Sequence, residues 1–150
     1  MQSQAHRILV TSIMFAGVAL IHGNPLQVVH AQQAVPGLVD GVYTQAQVAR
    51  GEVVYQEQCA SCHREDLTGQ DMTPSLVGIG FSFTWQGKSL QELYNSMRFS
   101  MPQTAPGSLS DQAYADLTAM LLQRNGYPAG VTDLVADEER MAKIEITGGF

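Results

Sequence analysis

Cys59 and Cys62 are the only cysteines in the chain, and His63 directly follows the second, in the stretch QEQCASCHRED at residues 56–66. Three chemistries use a Cys-x-x-Cys pair: a redox-active disulfide, a zinc site, and covalent attachment of haem. A structural zinc needs four Cys or His ligands and a catalytic one usually three. Outside the N-terminal segment discussed below, Cys59, Cys62 and His63 are the whole inventory, and adjacent Cys62 and His63 are poorly placed to chelate one ion with Cys59. A thioredoxin-like disulfide sits in a βαβ unit, whereas this pair follows a helical stretch with no alternating strand pattern around it. Cys-x-x-Cys-His is the attachment sequence of c-type haem. Its two thiols add across the porphyrin vinyl groups, and the adjacent imidazole is carried under the iron as proximal ligand. The motif therefore reads as the site of one covalent haem c.

The flanking sequence suits that chemistry. His6 and Arg7 open the chain without an acidic residue, and the apolar run Ile8–Ile21 follows. This run is shorter than the ~20 residues of a spanning helix, and Val29-His30-Ala31 supplies a small-residue cleavage site. Residues 1–31 read as a secretory signal peptide, with an uncleaved anchor as the competing reading. Cleavage removes His6, His22 and His30, leaves no permanent membrane anchor, and sends the protein to the periplasm, where disulfides and haem attachment are at home. All 14 acidic residues lie beyond residue 31, against 8 basic residues in the whole chain. So anionic a surface makes nucleic acid an unsuitable partner. The expected organisation is a signal peptide at 1–31, a linker at 32–42, one domain at 43–128 and a C-terminal extension at 129–150.

A proximal histidine leaves the other face of the iron open, and its occupant decides what the haem does. The candidates are Met72, Met97, Met101, Met120 and Met141. Ser89 and Glu92 form a capping box, and Leu90, Leu93, Tyr94 and Met97 follow on one helical face, which makes Met97 core filler. Met120 lies in a second helix that Ser110 caps and Asn125-Gly126 ends, and it reads as packing. Met101 instead precedes Pro102, which disfavours helical geometry there, and Pro106-Gly107 keep the next residues irregular. Met101 is the expected sixth ligand, with Met72 its main rival and Met141 peripheral.

From Tyr43 to Phe150 the chain resembles the small class I c-type cytochromes. ARGEVVYQEQCASCH is similar to their first helix running into the haem motif, and TPSLVG to their Pro-x-Leu-x-Gly segment. MPQTAPGSLSDQAYADLTAMLLQRNGYPAG is similar to the Met-Pro loop and last helix of cytochromes that serve periplasmic quinoprotein alcohol dehydrogenases. The resemblance implies an all-α fold, a small cytochrome c domain of several short helices around one covalently attached haem. It implies that Gly51 and Tyr55 cross the last helix at Tyr114 and Leu117, and that the Pro74 carbonyl accepts a hydrogen bond from His63. Leu76 would pack on the haem, and Phe81, Phe83 and Trp85 would wall its pocket or simply serve as aromatic core. Arg98 would neutralise a propionate or stand exposed.

The leading functional expectation is a soluble one-electron carrier, not an enzyme, with no catalytic residues and with redox partner proteins (a dehydrogenase or a terminal oxidase). The second is the haem subunit of a stable quinoprotein dehydrogenase complex. For that reading the extension VTDLVADEERMAKIEITGGF would dock elsewhere, although it can equally wrap its own domain. The third is a catalytic or sensing haem with an open sixth position, for which the sequence offers no distal histidine.

Overall fold

The structure is a computed structural model that describes residues 37–148. The expected signal peptide and residues 32–36 of the linker lie outside the described residues. Helices carry the domain, and no strand forms among the described residues: α1 Gln45–Gln58, α2 Ala60–His63, α3 Gly78–Trp85, α4 Leu90–Ser100, α5 Asp111–Arg124 and α6 Glu138–Met141, with a short 3-10 turn at Leu38–Asp40. The all-α expectation is met.

Three helix starts follow from their caps. Thr44 accepts from the Gln47 amide, Ser89 from the Glu92 amide and Ser110 from the Ala113 amide, and at Thr44 and Ser89 the Gln or Glu at the third helical position reaches back to complete the box. α1 buries Gln47, Val48, Gly51 and Tyr55 along one face. α5 is different: every residue from Tyr114 to Leu122 is buried, the mark of a helix enclosed on all sides. α1 packs on it most extensively, and α4 on another face.

The α1–α5 crossing is closest at Gly51, but its register differs from the expected one. A Cβ at Gly51 would run into the Asp116 carbonyl and come within 2.9 Å of the Met120 Cβ, so Asp116 and Met120 face Gly51, in place of Tyr114 and Leu117. Beside this contact Asp116, only 3% exposed, is bound by Arg50 at 2.7 and 2.9 Å, Gln47 at 3.2 Å and Gln112 at 2.8 Å. A buried carboxylate needs this degree of pairing to be tolerated.

The C-terminal extension wraps its own domain. Leu134, Met141, Ile144 and Ile146 join the core, and Gln47 bonds both the amide and the carbonyl of Leu134, at 2.6 and 2.9 Å. The alternation seen in KIEIT is real, because Ile144 and Ile146 are buried while Glu145 and Thr147 are exposed. Its bridge partner is Ser89 of the same domain.

Candidate functional site

α1 ends at Gln58, Cys59 caps it, and the single turn α2 carries Cys62 and His63. Both cysteines are free, Cys59 half-buried and Cys62 exposed. Burial, with Cys62 as a lesser cause, pushes the Cys59 thiol up to about 11. Redox-active Cys-x-x-Cys pairs need the opposite, a thiol lowered to about 3.5–7.5. Among the described residues no cluster of three His, Cys, Asp or Glu side chains able to hold a metal forms.

His63 is 8% exposed, and its Nδ1 lies 3.1 Å from the Pro74 carbonyl oxygen. A carbonyl only accepts, so Nδ1 carries the proton and Nε2 keeps its lone pair for a metal. The loop after α2 is folded to make this contact: the Gly69 amide donates to the His63 carbonyl at 3.0 Å, and the Leu76 amide to the Leu67 carbonyl at 2.8 Å. Asn125 ties the far end of the loop to α5, accepting from the Gly78 amide and donating to the Leu76 carbonyl, both at 3.0 Å. In the sequence Asn125 reads only as a helix stop. Its clamp on residues 76–78 depends on tertiary contact and has no local signal.

Cys59, Cys62 and His63 border a cavity of about 330 Å³, whose other walls come from Pro74 and Leu76 of the loop, Trp85 of α3, Leu93 and Met97 of α4, Met101, and Tyr114, Leu117 and Leu121 of α5. No charged side chain lines it. Polar side chains, Ser96, Ser100 and Gln103 among them, also reach the lining. The thiol pair, the oriented imidazole and the mainly apolar, uncharged walls fit a covalently attached haem.

The five methionines separate by position. Met141 is buried in α6, away from the cavity lining, and Met120 is 1% exposed on α5 with one side to the cavity. Met72 sits at the cavity rim, 96% exposed. Met97 and Met101 both line the cavity, one turn apart, so Met97 is a nearer rival to Met101 than Met72. Met101 is the C-cap of α4 with extended backbone, its amide donating to the Met97 carbonyl at 2.8 Å. Its own carbonyl accepts from the Tyr114 hydroxyl at 2.7 Å. That role of Tyr114 was missed in the sequence, where the residue stood for the crossing with α1.

Phe81 takes the second of its two expected roles: it is 2% exposed in the core and does not line the cavity. Two sequence-based placements need correction. Phe83 is 93% exposed. At 3.6 residues per turn, Phe83 must project away from the side shared by Phe81 and Trp85. Arg98 is also absent from the lining: its guanidinium meets Asp111 at 3.1 Å and Glu138 at 3.9 Å. Trp85 does line the cavity, with Lys88 Nζ 5.0 Å from its ring.

Comparison with known proteins agrees with this arrangement. The family model described as "Cytochrome C oxidase, cbb3-type, subunit III" matches residues 46–121, just over half of the chain. The crystal structure of the sulfane dehydrogenase SoxCD from Paracoccus pantotrophus is similar at a TM-score of 0.51 and 24% identity, over 76% of this chain and 61% of that one. This likeness speaks for the fold alone, and this chain spans less than two thirds of the SoxCD chain it matches. No curated protein matches the chain. The matched stretch contains Cys59, Cys62, His63 and Met101, and its helices enclose the cavity just described. The chain belongs to the family of the cbb3-type cytochrome c oxidase subunit III model, as a class I c-type cytochrome with covalently bound haem c and an electron-transfer function.

Proposed function

We propose that the protein is a periplasmic mono-haem carrier of single electrons, with His63 and Met101 as the two axial ligands. The observation that carries this reading is the uncharged cavity bordered by the Cys59-Cys62-His63 turn on one side and by Met101 on another. When bound, haem c supplies a reversible one-electron iron couple whose potential rises with methionine ligation and with an apolar surround. The chain's own residues do the rest. Pro74 holds the His63 ring by its Nδ1 proton, and the Tyr114 hydroxyl anchors the Met101 backbone. Leu76, Leu93, Leu117 and Trp85 exclude water. A peroxidase-like haem would call for a distal histidine or arginine; among the described residues His63 is the one histidine lining the cavity, and Arg98, the one sequence candidate, is engaged with Asp111 and Glu138. Residues 1–31 are proposed as a cleaved leader, so the mature chain starts at Gln32 and an intact mass equals that chain plus one haem.

Redox partners are taken to be other proteins, a dehydrogenase or a terminal oxidase. Membership of a stable dehydrogenase complex is the second reading, but the extension that lent it support in the sequence packs on its own domain.

The test is the ferric absorption spectrum of the wild type, Met101→Ala, Met97→Ala and Met72→Ala. The weak long-wavelength band of methionine-bound ferric iron should appear in the wild type, persist in the Met97 and Met72 variants, and vanish in Met101→Ala. Loss of the band in Met97→Ala with retention in Met101→Ala would transfer the ligand role to Met97.

A further inference from the structure

Electron carriage by a closed haem leaves the C-terminal segment, residues 131–148, without a role. The structure gives it a specific grip. The Leu90 amide donates to the Ile144 carbonyl at 2.8 Å, the Ile146 amide to the Lys88 carbonyl at 2.8 Å, and the Gly87 amide to the Ile146 carbonyl at 2.9 Å. Ile144 and Ile146 are 2% and 1% exposed, which fixes the register of these bonds through burial of alternate side chains. Six residues before Ile144, Glu138 of α6 accepts from the Gln91 side chain at 3.0 Å and meets Arg98 at 3.9 Å.

What the segment holds is the turn between α3 and α4, and that turn joins two walls of the cavity. Trp85 stands immediately before it, with its carbonyl accepting from the Lys88 amide at 3.0 Å. Immediately after it begins α4, which carries Leu93 and Met97 and ends in Met101. The Leu90 amide is one of the first-turn donors that a helix cannot satisfy internally, and Ile144 supplies its acceptor. Lys88 and Gly87 are exposed, so residues 144–146 supply the turn's hydrogen bonds from outside α3 and α4, beside its local ones from Trp85 and the Ser89–Glu92 cap.

We propose that residues 143–148 act as a positioning strap for the haem pocket, setting how firmly Trp85 and the Met101-bearing helix close over it. The proposal rests on the His63/Met101 reading above, and it assigns the strap no contact with the haem. With the strap removed, α4 and Trp85 shift more freely. Water and small ligands then gain access, and access of water to a haem lowers its potential.

The experiment compares the full-length holoprotein with a chain ending at Ala142 and with Glu145→Ala, an exposed position on the strap. Three quantities are read: emission of Trp85, the only tryptophan, which a nearby haem quenches; the rate at which imidazole binds the ferric protein; and the midpoint potential. Shortening should raise the emission, lower the potential, and accelerate imidazole binding by roughly tenfold, the lower end of the scale on which outer supports of metal sites act. Glu145→Ala should leave all three unchanged. A shortened chain that folds and matches the wild type in all three overturns the proposal. Should that chain not fold, Ile146→Ala is read the same way: smaller changes in the same directions are expected, and no change overturns the strap. Failure of the axial-ligand reading is distinguishable, because the full-length protein would then bind imidazole rapidly from the start while Trp85 emission still reports on the strap.

Discussion

Arg64, directly after His63, is held at φ 66° and ψ 158°, a region essentially reserved for glycine and costing about 1–3 kcal/mol for other residues. Its carbonyl is fixed there by the Tyr55 hydroxyl at 2.6 Å, and its side chain is exposed with only a 3.8 Å contact to Asp66, worth little at a surface. Arg64→Gly removes the strain and costs roughly 0.5–1 kcal/mol in unfolded-chain entropy. The variant should therefore be more stable by about 1 kcal/mol, seen as a melting temperature a few degrees higher in thermal unfolding of the holoprotein. At this scale the sequence was most legible where residue types are rare: Cys59, Cys62 and His63 announce their chemistry by spacing alone. The placement of Met101 on the cavity followed from the backbone preference that Pro102 imposes. Phe83 and Arg98 were misplaced because adjacency along the chain says nothing about which side of a helix faces the cavity. Arg98 moreover found acidic partners on α6 and at the start of α5, which are remote in sequence.

Helices were legible at their ends and less so in how they meet. Thr44, Ser89 and Ser110 cap as their sequence context implies, since capping is a local hydrogen-bonding problem. The α1–α5 register was not legible, because it is set by where two backbones approach most closely, and Gly51 found its space against the Asp116 carbonyl. Two effects compete in Gly51→Ala. Helix propensity favours alanine by about 1 kcal/mol, whereas overpacking a tight contact costs typically about 1–3 kcal/mol. The clash here is with backbone, which has no rotamer to yield, so the steric cost wins. Gly51→Ala should lower the urea midpoint with an unchanged slope, and an unchanged or raised midpoint would mean that the crossing relaxes easily. The extension was legible only in its alternation: that KIEIT pairs with the α3–α4 turn of its own domain depends on long-range contacts that no local pattern encodes.

For the whole molecule, the core encloses tyrosines whose protons it holds tightly. Burial pushes Tyr43, which donates to the Tyr127 carbonyl at 2.5 Å, up to about 12. Burial, followed by nearby Asp111, takes Tyr94 to about 12 as well. The ordinary phenol value is about 10, so the folded state binds these protons more tightly than the unfolded chain does. Their contribution is complete below pH 10 and is lost as pH rises from about 10 to about 12. Thermal melting at stepped pH should show a steep alkaline decline in that window, less steep in Tyr43→Phe. A flat profile to pH 12 would mean that these phenols ionise without unfolding the domain. The fold class and the single haem were legible at this scale because one motif and a handful of caps decide them; the shape of the cavity was not, because it needs α2, α3, α4 and α5 together. The central proposal, an electron-carrying haem closed by His63 and Met101, is tested most directly by adding carbon monoxide to the reduced full-length protein. An unchanged visible spectrum is the predicted result, with the iron already bound on both faces. Ready formation of a carbon monoxide adduct would contradict the account, because the sixth position would then be open.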